Sequence, residues 1–306
     1  MTSPSSTPRM VAVQAHLGRP EAIAATCDFV RSVTAHGIMV AAEPDVAEAL
    51  HACSPGLGIV DKNGLDNLEV VVVFGGDGTI LKAAEWALGT RVPVLGVNLG
   101  HVGFLAELEV SDLPRIVDQV VRRDYVIERR LAISVELRAD RDGPVTWRSF
   151  AVNEVSIEKL SRRRMIEVLA QVDGLPVSRW GCDGLLVSTP TGSTAYAFSA
   201  GGPVMWPELD AYLMVPLSAH ALFARPLVLG PESEVVVDLV GGGDAVLWCD
   251  GRRTVDAPLG AQVVVRRHEN HLQVARLSEQ PFTNRLVKKF GLSVEGFRNR
   301  YEYPLG

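Results

Sequence analysis

The first 130 residues alternate short apolar runs with segments whose apolar positions recur at helical spacing. Helical spacing predicts helices over Pro20–His36 and over Thr79–Leu88, with Gly89 closing the second. Ser54–Asn67 carries Gly and Asp and is predicted to be a loop. The apolar runs predict strands at Met10–Ala15, Gly37–Ala41, Glu69–Phe74 and Arg91–Val97. Strands that alternate with helices indicate a parallel α/β sheet.

The pattern changes near Arg130, where apolar residues begin to alternate with polar or small ones. This period of two is typical of half-buried strands. The alternation covers Leu131–Leu137 and Ile166–Val172, the second of which is followed by the turn Asp173-Gly174. The strand-turn-strand pattern continues in the apolar runs Val235–Leu239, with a turn at Gly241–Asp244, and Gln262–Val265, with a turn at His268–Asn270. They predict a mostly antiparallel β domain. Thr283–Phe290 is helical in pattern, and Gly291 is its predicted cap.

The predicted fold class is therefore α/β plus all-β. A Rossmann-like α/β domain is expected over residues 1–130, and a β-rich, β-sandwich-like domain over residues 131–280. Residues 281–306 are expected to pack back onto the first domain.

Composition and charge narrow the class of protein. The chain has 306 residues, of which 47% are hydrophobic and 22% charged, as in ordinary globular proteins. A net charge of −6 argues against nucleic acid as a partner. Met1–Arg9 lacks the apolar core of a signal peptide, and no run of ~18 apolar residues predicts a membrane span. We therefore expect a cytoplasmic protein without a membrane partner.

Four cysteines occur without a CxxC pair or zinc-ligand spacing. They are Cys27, Cys53, Cys182 and Cys249. The prediction is that they are free buried thiols in a reducing compartment.

The strand ending at Phe74 runs into the turn Gly75-Gly76-Asp77-Gly78-Thr79, which opens the predicted second helix. Glycine lets the backbone approach a phosphate closely, and a helix N-terminus contributes partial positive charge. Asp77 in such a turn can accept a proton from an attacking hydroxyl or hold Mg²⁺ against phosphate oxygens. Alternatively, Asp77 caps the helix and the glycines only make a tight turn. The turn is not a Walker A loop, and protein-kinase signatures are absent.

A second block runs from Asp183 to Pro203 and is rich in small hydroxyl side chains. After Asp183-Gly184 and a short apolar strand, Ser188–Thr194 can hydrogen-bond ribose or phosphate oxygens without bulk. Tyr196 offers an aromatic face to an adenine or nicotinamide ring. No histidine base lies nearby in the sequence, which argues against a nucleophilic role for Ser193 or Thr194. The alternative is an ordinary Ser/Thr-rich loop.

Three shorter segments could add ligand contacts. Asn153-Glu154 can grip a ribose diol, although a turn cap is the simpler interpretation. Arg162–Arg164 supplies positive charge for a phosphate, or is a solvated surface run. Asp250–Arg253 is a hairpin turn or a second ligand edge, and the turn is favoured.

Taken in order, these segments resemble the NAD kinase family, in its ATP- or polyphosphate-dependent, actinobacterial-like form. The resemblance covers about Glu69 to Arg285 and includes Asn153-Glu154, Asp250-Gly251 and the glycine-rich run Gly96–Phe104. The Asp183–Pro203 block is highly specific, whereas the GGDGT turn is shared with diacylglycerol and sphingosine kinases. The family implies transfer of a terminal phosphoryl group to the 2′-hydroxyl of the adenosine ribose of NAD, which gives NADP.

The resemblance also implies roles for individual residues. Asp77 is the proton acceptor, Asn153 and Glu154 bind the adenosine ribose, and Asp183 binds the nicotinamide side. Tyr196 packs against a ring. The remaining nucleotide-binding residues it implies are Gly75, Gly76, Gly78, Lys82, Phe104, Arg164, Thr194, Ala195, Ala197, Phe198, Ser199 and Arg252. No residue is predicted to be a metal ligand.

The implied partners are NAD, ATP and/or polyphosphate, Mg²⁺ bound with the donor, and further copies of the chain in a homodimer or homotetramer. Gly181 stands where some family members carry arginine, which leaves the preference between NAD and NADH open. Two other functions compete. A lipid kinase shares the GGDGT turn but should show a membrane-binding face. A non-catalytic NAD-binding regulator needs the pocket but not the base.

Overall fold

A computed structural model of the chain shows two compact units. Unit 2 is continuous, Arg129–Leu272, and unit 1 combines the chain up to Glu128 with the chain from Gln273 onward. The structure describes residues 8–60, 67–100, 103–106, 108–141, 143–277 and 281–293. The predictions for Met1–Thr7, for 61–66 of the loop, for His101-Val102 and for 278–280 and 294–306 of the tail lie outside the described residues.

Within its described residues, unit 1 holds an eight-stranded sheet in the order β3-β2-β1-β4-β5-β20-β7, with β6 paired to β5. Its strands are β1 Met10–Ala15, β2 Met39–Ala42, β3 Gly58–Ile59, β4 Leu68–Phe74, β5 Val94–Asn98, β6 Leu108–Glu109, β7 Val126–Arg130 and β20 Leu272–Arg276. Its helices are α1 Pro20–Ala35, α2 Pro44–Leu50, α3 Asp77–Ala87, α4 Leu113–Arg122 and α6 Phe282–Phe290. The pairings of β1 through β6, and of β20 with β5, are parallel. The α/β prediction is confirmed. No helix in the described ranges is long and apolar enough to cross a membrane.

Two helices of unit 1 were not predicted. Helix α2 is only seven residues long, which is too short to show a helical period. Helix α4 ends at Arg123 in the left-handed conformation (φ 59°), so the glycine that usually marks a helix end is missing. Both helices have proline in the first turn. Proline is common at helix starts but also in loops, so a single proline does not predict a helix.

A disulfide joins Cys27 on α1 to Cys53 beyond the end of α2. The prediction of free thiols is therefore wrong for this pair, because folding brings their Cα atoms to 5.9 Å. Linear spacing carries no information about that approach. Cys182 and Cys249 are free and buried, as expected.

Closing a loop across 26 residues should stabilise unit 1 by about 3 kcal/mol, mainly by restricting the unfolded chain. We expect Cys53→Ser to lower the free energy of unfolding by that amount under oxidising conditions. Addition of a dithiol reductant should destabilise the wild type to the same level and leave Cys53→Ser unchanged. Equal stability of the two proteins without reductant would contradict the bridge.

Unit 2 is built from two six-stranded antiparallel sheets, ordered β15-β14-β13-β10-β17-β18 and β12-β11-β16-β19-β8-β9 in its described residues. The strands are β8 Ile133–Arg138, β9 Val145–Ala151, β10 Glu154–Lys159, β11 Ile166–Val172, β12 Leu175–Cys182, β13 Gly184–Ser188, β14 Tyr212–Leu217, β15 Leu227–Leu229, β16 Val235–Gly241, β17 Ala245–Cys249, β18 Arg253–Ala257 and β19 Gln262–Arg267. A short helix, α5 Tyr196–Ser199, follows β13. Alternate side chains of both sheets meet in one apolar core, which includes Val135, Ile157, Val187 and Trp180. The β-sandwich-like prediction is confirmed.

The turn chemistry of unit 2 also agrees with its sequence. Asp173 (φ 53°) and Gly174 (φ 77°) both adopt left-handed conformations between β11 and β12. Asp250 (φ 54°) and Gly251 (φ 63°) do the same between β17 and β18. Between β11 and β12 the Asp-Gly pair is the whole loop, and consecutive left-handed residues match the twist of such a two-residue hairpin. Between β17 and β18 the loop has three residues, because Cys249 pairs with Arg253 and Arg252 follows the Asp-Gly pair.

Candidate functional site

In unit 1 the glycine-rich turn joins the buried strand β4 to helix α3. Gly75 donates its N–H to the Val97 carbonyl (2.9 Å), which places the turn at the carboxyl edge of the parallel sheet. Gly76 is the N-cap of α3 in an extended conformation, and Gly78 is exposed in the first turn. The first amides of a helix have no partner within it. Together with the helix dipole, they make this turn suitable for a phosphate.

The Asp77 carboxylate does not cap its own helix. It accepts N–H bonds from Phe104 (Oδ2, 2.9 Å), Leu105 (Oδ1, 3.0 Å) and Ala106 (Oδ1, 3.3 Å). The cap alternative is therefore wrong, since Gly76 is the N-cap and has no side chain. Three backbone donors fix the orientation of one carboxylate beside the glycine-rich turn. This arrangement suits a positioned proton acceptor.

Phe104 contributes to this arrangement through its backbone. Its ring is 8% exposed and packs against Phe282 and Phe290, with ring centroids 5.9 and 5.8 Å away. A nucleotide contact of Phe104 stays a prediction. What the structure adds is an aromatic cluster that holds the Phe104 N–H against Asp77.

Gly103 has no side chain because the carboxylate occupies that space. A Cβ built on Gly103 would overlap Asp77 Oδ1 and would lie 3.0 Å from its Cγ. Gly103 belongs to the glycine-rich run Gly96–Phe104, whose sequence does not indicate this role. The residue that it accommodates lies 26 positions earlier, which no local pattern shows.

Gly103→Ala should displace the Asp77 carboxylate and lower kcat by at least ~10-fold, as misplacement of a catalytic group does. Binding of NAD, measured by calorimetry, should stay within about twofold. Gly89→Ala is the matched control, because a Cβ there meets nothing within 4 Å. A Gly103→Ala enzyme with wild-type kcat would show that this carboxylate position is not needed.

Two buried arginines near Asp77 were missed by sequence analysis. Arg276, in β20, and Arg285, in α6, are each 7% exposed. Burial lowers the pKa of both guanidinium groups, and the negative charge of Asp77 partly opposes that shift. A single arginine within the apolar run Val274–Leu277 was the available signal.

Lys82, on α3, is engaged by acidic partners. Its Nζ lies 2.8 Å from Asp45 Oδ2 and 3.3 Å from Glu43 Oε2, at the start of α2. These ion pairs tie α2 to α3. A nucleotide contact through Lys82 remains a prediction.

In unit 2, the hairpin turn that contains Asp250 binds the backbone beside Asn153-Glu154, although the two segments are distant in sequence. The Asp250 carboxylate accepts N–H bonds from Val152 (3.0 Å) and Asn153 (2.7 Å) and pairs with Arg253 (2.8 Å). Asp250 belongs to a hairpin turn, as favoured from sequence, and its side chain is fully buried. The turn therefore fixes the backbone of the Asn153-Glu154 pair.

The hydroxyl row of the second block is largely used inside the protein. Thr189 Oγ1 donates to the Val152 carbonyl (2.5 Å), and Ser188 Oγ donates to the Asn153 carbonyl (3.2 Å). Ser193 Oγ bonds the Pro190 carbonyl and the Met205 N–H and is completely buried. The interpretation that these hydroxyls face ribose or phosphate is therefore wrong for Ser188, Thr189 and Ser193. They lock the loop onto the Asn153 segment.

Gly192 explains how closely that loop packs. A Cβ at this position would overlap the Asn153 carbonyl and would lie 2.6 Å from Ser188 Oγ. Only glycine permits the approach. The PTGST segment and the Asn-Glu pair thus form one unit of structure.

Glu154 is a buried acid of this region whose pKa is raised. It is 8% exposed, and its Oε2 has no hydrogen-bond partner among the described residues. Burial, and next the nearby Asp250 carboxylate, raise the pKa of Glu154 from 4.5 to about 8, against an opposing hydrogen bond from the Tyr196 backbone. A buried acid with an unused oxygen is suited to bind hydroxyl groups.

Unit 2 also holds a cavity of about 510 Å³, which is large enough for half of a dinucleotide. Asp183 lines it and forms an ion pair with Lys159. The complete lining is Glu158, Lys159, Asp183, Tyr196, Ser199, Ala200, Pro216, Leu217 and Ser218. The predicted residues Asp183, Tyr196 and Ser199 are thus brought together. Glu158 and Lys159 were missed because they extend from β10 as an ordinary charged strand end.

The predicted run Thr194–Ser199 divides between surface and core. Tyr196 (39% exposed) and Phe198 (42%) present aromatic surface, and Tyr196 lines the cavity. Thr194 and Ala195 are half-buried, and the Thr194 hydroxyl bonds the Thr191 carbonyl (3.2 Å). Ala197 is fully buried and packs against Leu186, Met205, Leu213 and Val215. Its side chain therefore faces the sheet.

Arg164 and Arg252 lie in exposed turns of unit 2. Arg164 belongs to the turn between β10 and β11, where Arg162 and Arg163 are exposed as well. Arg252 follows Gly251 in the hairpin between β17 and β18. Their proposed phosphate contacts stay predictions.

Comparison with known families matches both halves of the chain. The model of the ATP-NAD kinase N-terminal domain matches residues 11–125, and that of the ATP-NAD kinase C-terminal domain matches residues 152–277. A NAD kinase of Cutibacterium acnes is 55% identical over 300 residues, covering 97% of this chain and 93% of that protein. A NAD kinase of Leifsonia xyli subsp. xyli is 49% identical over 296 residues, covering 95% and 97%.

Two solved structures share the fold. Yeast NADH kinase complexed with NADH aligns with a TM-score of 0.85 at 23% identity, covering 98% of this chain and 95% of that one. An NAD kinase from Archaeoglobus fulgidus in complex with ATP aligns with a TM-score of 0.70 at 25% identity, covering 93% and 100%.

The α/β unit with a carboxylate fixed at the glycine-rich turn, and the matches to both NAD kinase domains, define a phosphotransferase. The chain belongs to the NAD kinase family.

Proposed function

We propose that the protein transfers the terminal phosphoryl group of ATP to the 2′-hydroxyl of the adenosine ribose of NAD, giving NADP. The observation that carries the proposal is the Asp77 carboxylate, held by three backbone N–H groups at the first turn of α3. Phosphoryl transfer needs positioning and charge stabilisation more than covalent chemistry. The amides of the turn supply part of that stabilisation, and Asp77 accepts the hydroxyl proton.

On this proposal unit 2 binds the dinucleotide. Glu154 and Asn153 hold ribose hydroxyls, since one offers an unused buried oxygen and the other an amide. Tyr196 packs against a ring at the cavity, and Asp183 contacts the nicotinamide side. Phosphate binding by Gly75, Gly76 and Gly78, and ligand contacts by Lys82, Arg164 and Arg252, form part of the same proposal.

Mg²⁺ would accompany the donor. The donor set near the turn fits such an ion, because Mg²⁺ usually combines one or two carboxylates with substrate phosphate oxygens and water. Asp77 is the carboxylate in the required place, and each of its oxygens already accepts at least one N–H. The ion would neutralise charge on the transferring group.

Polyphosphate is the second proposed donor, because its terminal phosphoryl group presents the same oxygens to the same amides. A homodimer or homotetramer is proposed from the family resemblance, and the cytoplasmic location expected from the sequence stays a proposal. Sedimentation velocity on the purified chain would measure the oligomer.

The test is NADP formation by the purified protein with NAD, Mg²⁺ and ATP, followed by a 2′-phosphate-specific dehydrogenase cycling assay. Parallel reactions replace ATP with polyphosphate, and NAD with NADH. We expect NADP with ATP. Absence of product with both donors, while NAD still binds, would reject the kinase and favour a non-catalytic regulator. A lipid kinase would instead phosphorylate diacylglycerol or sphingosine presented in lipid vesicles.

A further inference from the structure

Arg276 lies at the end of β20, in the unit that carries Asp77. Its guanidinium bridges two acceptors: Nη1 donates to the Leu105 carbonyl (2.9 Å), and Nε donates to Glu128 Oε2 (2.8 Å). The side chain is 8% exposed. A buried guanidinium group that donates to two acceptors has a fixed position.

The carbonyl that Arg276 binds belongs to the same peptide group as the Ala106 N–H. That N–H donates to Asp77 Oδ1 (3.3 Å), and the preceding N–H, of Leu105, donates to the same oxygen (3.0 Å). A cation on the carbonyl side of a peptide polarises its N–H side, so the two hydrogen bonds strengthen one another. Arg276 thereby acts on Asp77 through a single peptide unit.

A purely structural role for Arg276 has a counterpart in the same unit. Arg9 pairs with Glu69 (2.8 Å) and donates to the carbonyls of Val121 (2.7 Å) and Val120 (3.0 Å). It therefore joins a carboxylate to backbone carbonyls, as Arg276 does. None of those carbonyls lies in the segment that binds Asp77. A variant of Arg9 therefore loses a similar stabilising contact without disturbing the position of Asp77.

We propose that Arg276 is a positioning residue for phosphoryl transfer, which orients the Asp77 carboxylate by fixing the 105–106 peptide. The proposal rests on the proposed function, in which Asp77 accepts the hydroxyl proton. It assigns Arg276 no contact with the substrates. Its loss therefore changes the catalytic step and leaves NAD binding intact.

The experiment compares Arg276→Met, Arg276→Lys and the matched control Arg9→Met in the full chain. Arg276→Met should lower kcat by at least ~10-fold with the KM values for NAD and ATP within about twofold. Arg276→Lys retains the charge but can hold only one acceptor well, so it should recover part of kcat. Arg9→Met should lower the melting temperature and keep kcat within about twofold.

Hydrogen exchange measured by mass spectrometry tests the geometry without any assay of activity. In Arg276→Met the peptide containing Phe104–Ala106 should exchange at least ~10-fold faster than in the wild type, and in Arg9→Met it should not. If Arg276→Met does not fold, Glu128→Ala replaces it, since this variant removes only the outer acceptor of Arg276 and should show the same changes at smaller size.

Wild-type kcat in a folded Arg276 variant would overturn the proposal. Equal losses of kcat in Arg276→Met and Arg9→Met would also overturn it, because the effect would then be general destabilisation. Unchanged exchange at Phe104–Ala106 would overturn it even if the wild type made no NADP. A wild type without NADP formation but with the expected exchange pattern would reject the proposed function alone.

Discussion

Replacing Asp77 with asparagine is expected to lower kcat by ~10²-fold or more, as loss of a general base does. Asparagine keeps the size of the side chain but cannot take the proton of the attacking hydroxyl. It also replaces one carboxylate oxygen with an NH₂ group, which must face an N–H donor of Phe104, Leu105 or Ala106. The two losses act on the same step.

NAD binding is the readout that separates chemistry from folding. Asp77 lies in unit 1, whereas the proposed dinucleotide contacts lie in unit 2, so the Kd for NAD should change by less than about twofold. Asp118→Asn, which removes an exposed partner of Arg122, is the matched control and should keep wild-type kcat. Full activity of Asp77→Asn would refute the catalytic role and support the regulator.

Replacing Glu154 with glutamine is expected to change how stability depends on pH. In the folded protein the pKa of Glu154 is about 8, whereas its ordinary value is 4.5. The unfolded chain therefore loses this proton above pH ~4.5, while the folded protein keeps it until pH ~8. Wild-type stability falls as pH rises through this window, and glutamine, which does not ionise, removes the fall.

Each pKa unit corresponds to about 1.4 kcal/mol, so the stability of Glu154→Gln relative to the wild type should rise by roughly 4 kcal/mol from pH 4.5 to 8. Urea denaturation at several pH values measures it. Glu167→Gln, at an exposed ion pair with Arg179, is the matched control and should stay within about 0.5 kcal/mol throughout. A constant difference for Glu154→Gln across the window would show that the acid is ionised in the folded protein.

Strand and helix patterns were sufficient for the fold class. The strand ending at Phe74 is apolar apart from Glu69 because both faces of a parallel sheet are covered, and the period-two runs after Arg130 follow from strands with one face in a core. Two kinds of feature were not predicted: contacts between segments that are distant in sequence, and elements too short to show a period. The Cys27–Cys53 bridge depends on two segments meeting in space, and α2 is too short for a periodic signal.

The sequence indicated candidate site residues only where a single segment holds both a recognisable backbone turn and a chemically useful side chain. The GGDGT turn is such a segment, and so is Asn153-Glu154. The partners of those residues were not predictable, since Gly103 and Arg276 act on Asp77 only through tertiary packing. The hydroxyls of Ser188, Thr189 and Ser193 were wrongly predicted to face a ligand. Their composition suits a ligand, but Ser188, Thr189 and Ser193 donate to backbone carbonyls of the protein instead.

The insertion of unit 2 into unit 1 has a consequence for synthesis on the ribosome. Strand β20 lies between β5 and β7 in the first sheet, yet it is made after all of Arg129–Leu272. A nascent chain can complete the later unit while the earlier one still lacks an interior strand. The α/β unit therefore closes last, and translation that stops near Leu272 leaves a finished β unit attached to an open, aggregation-prone sheet.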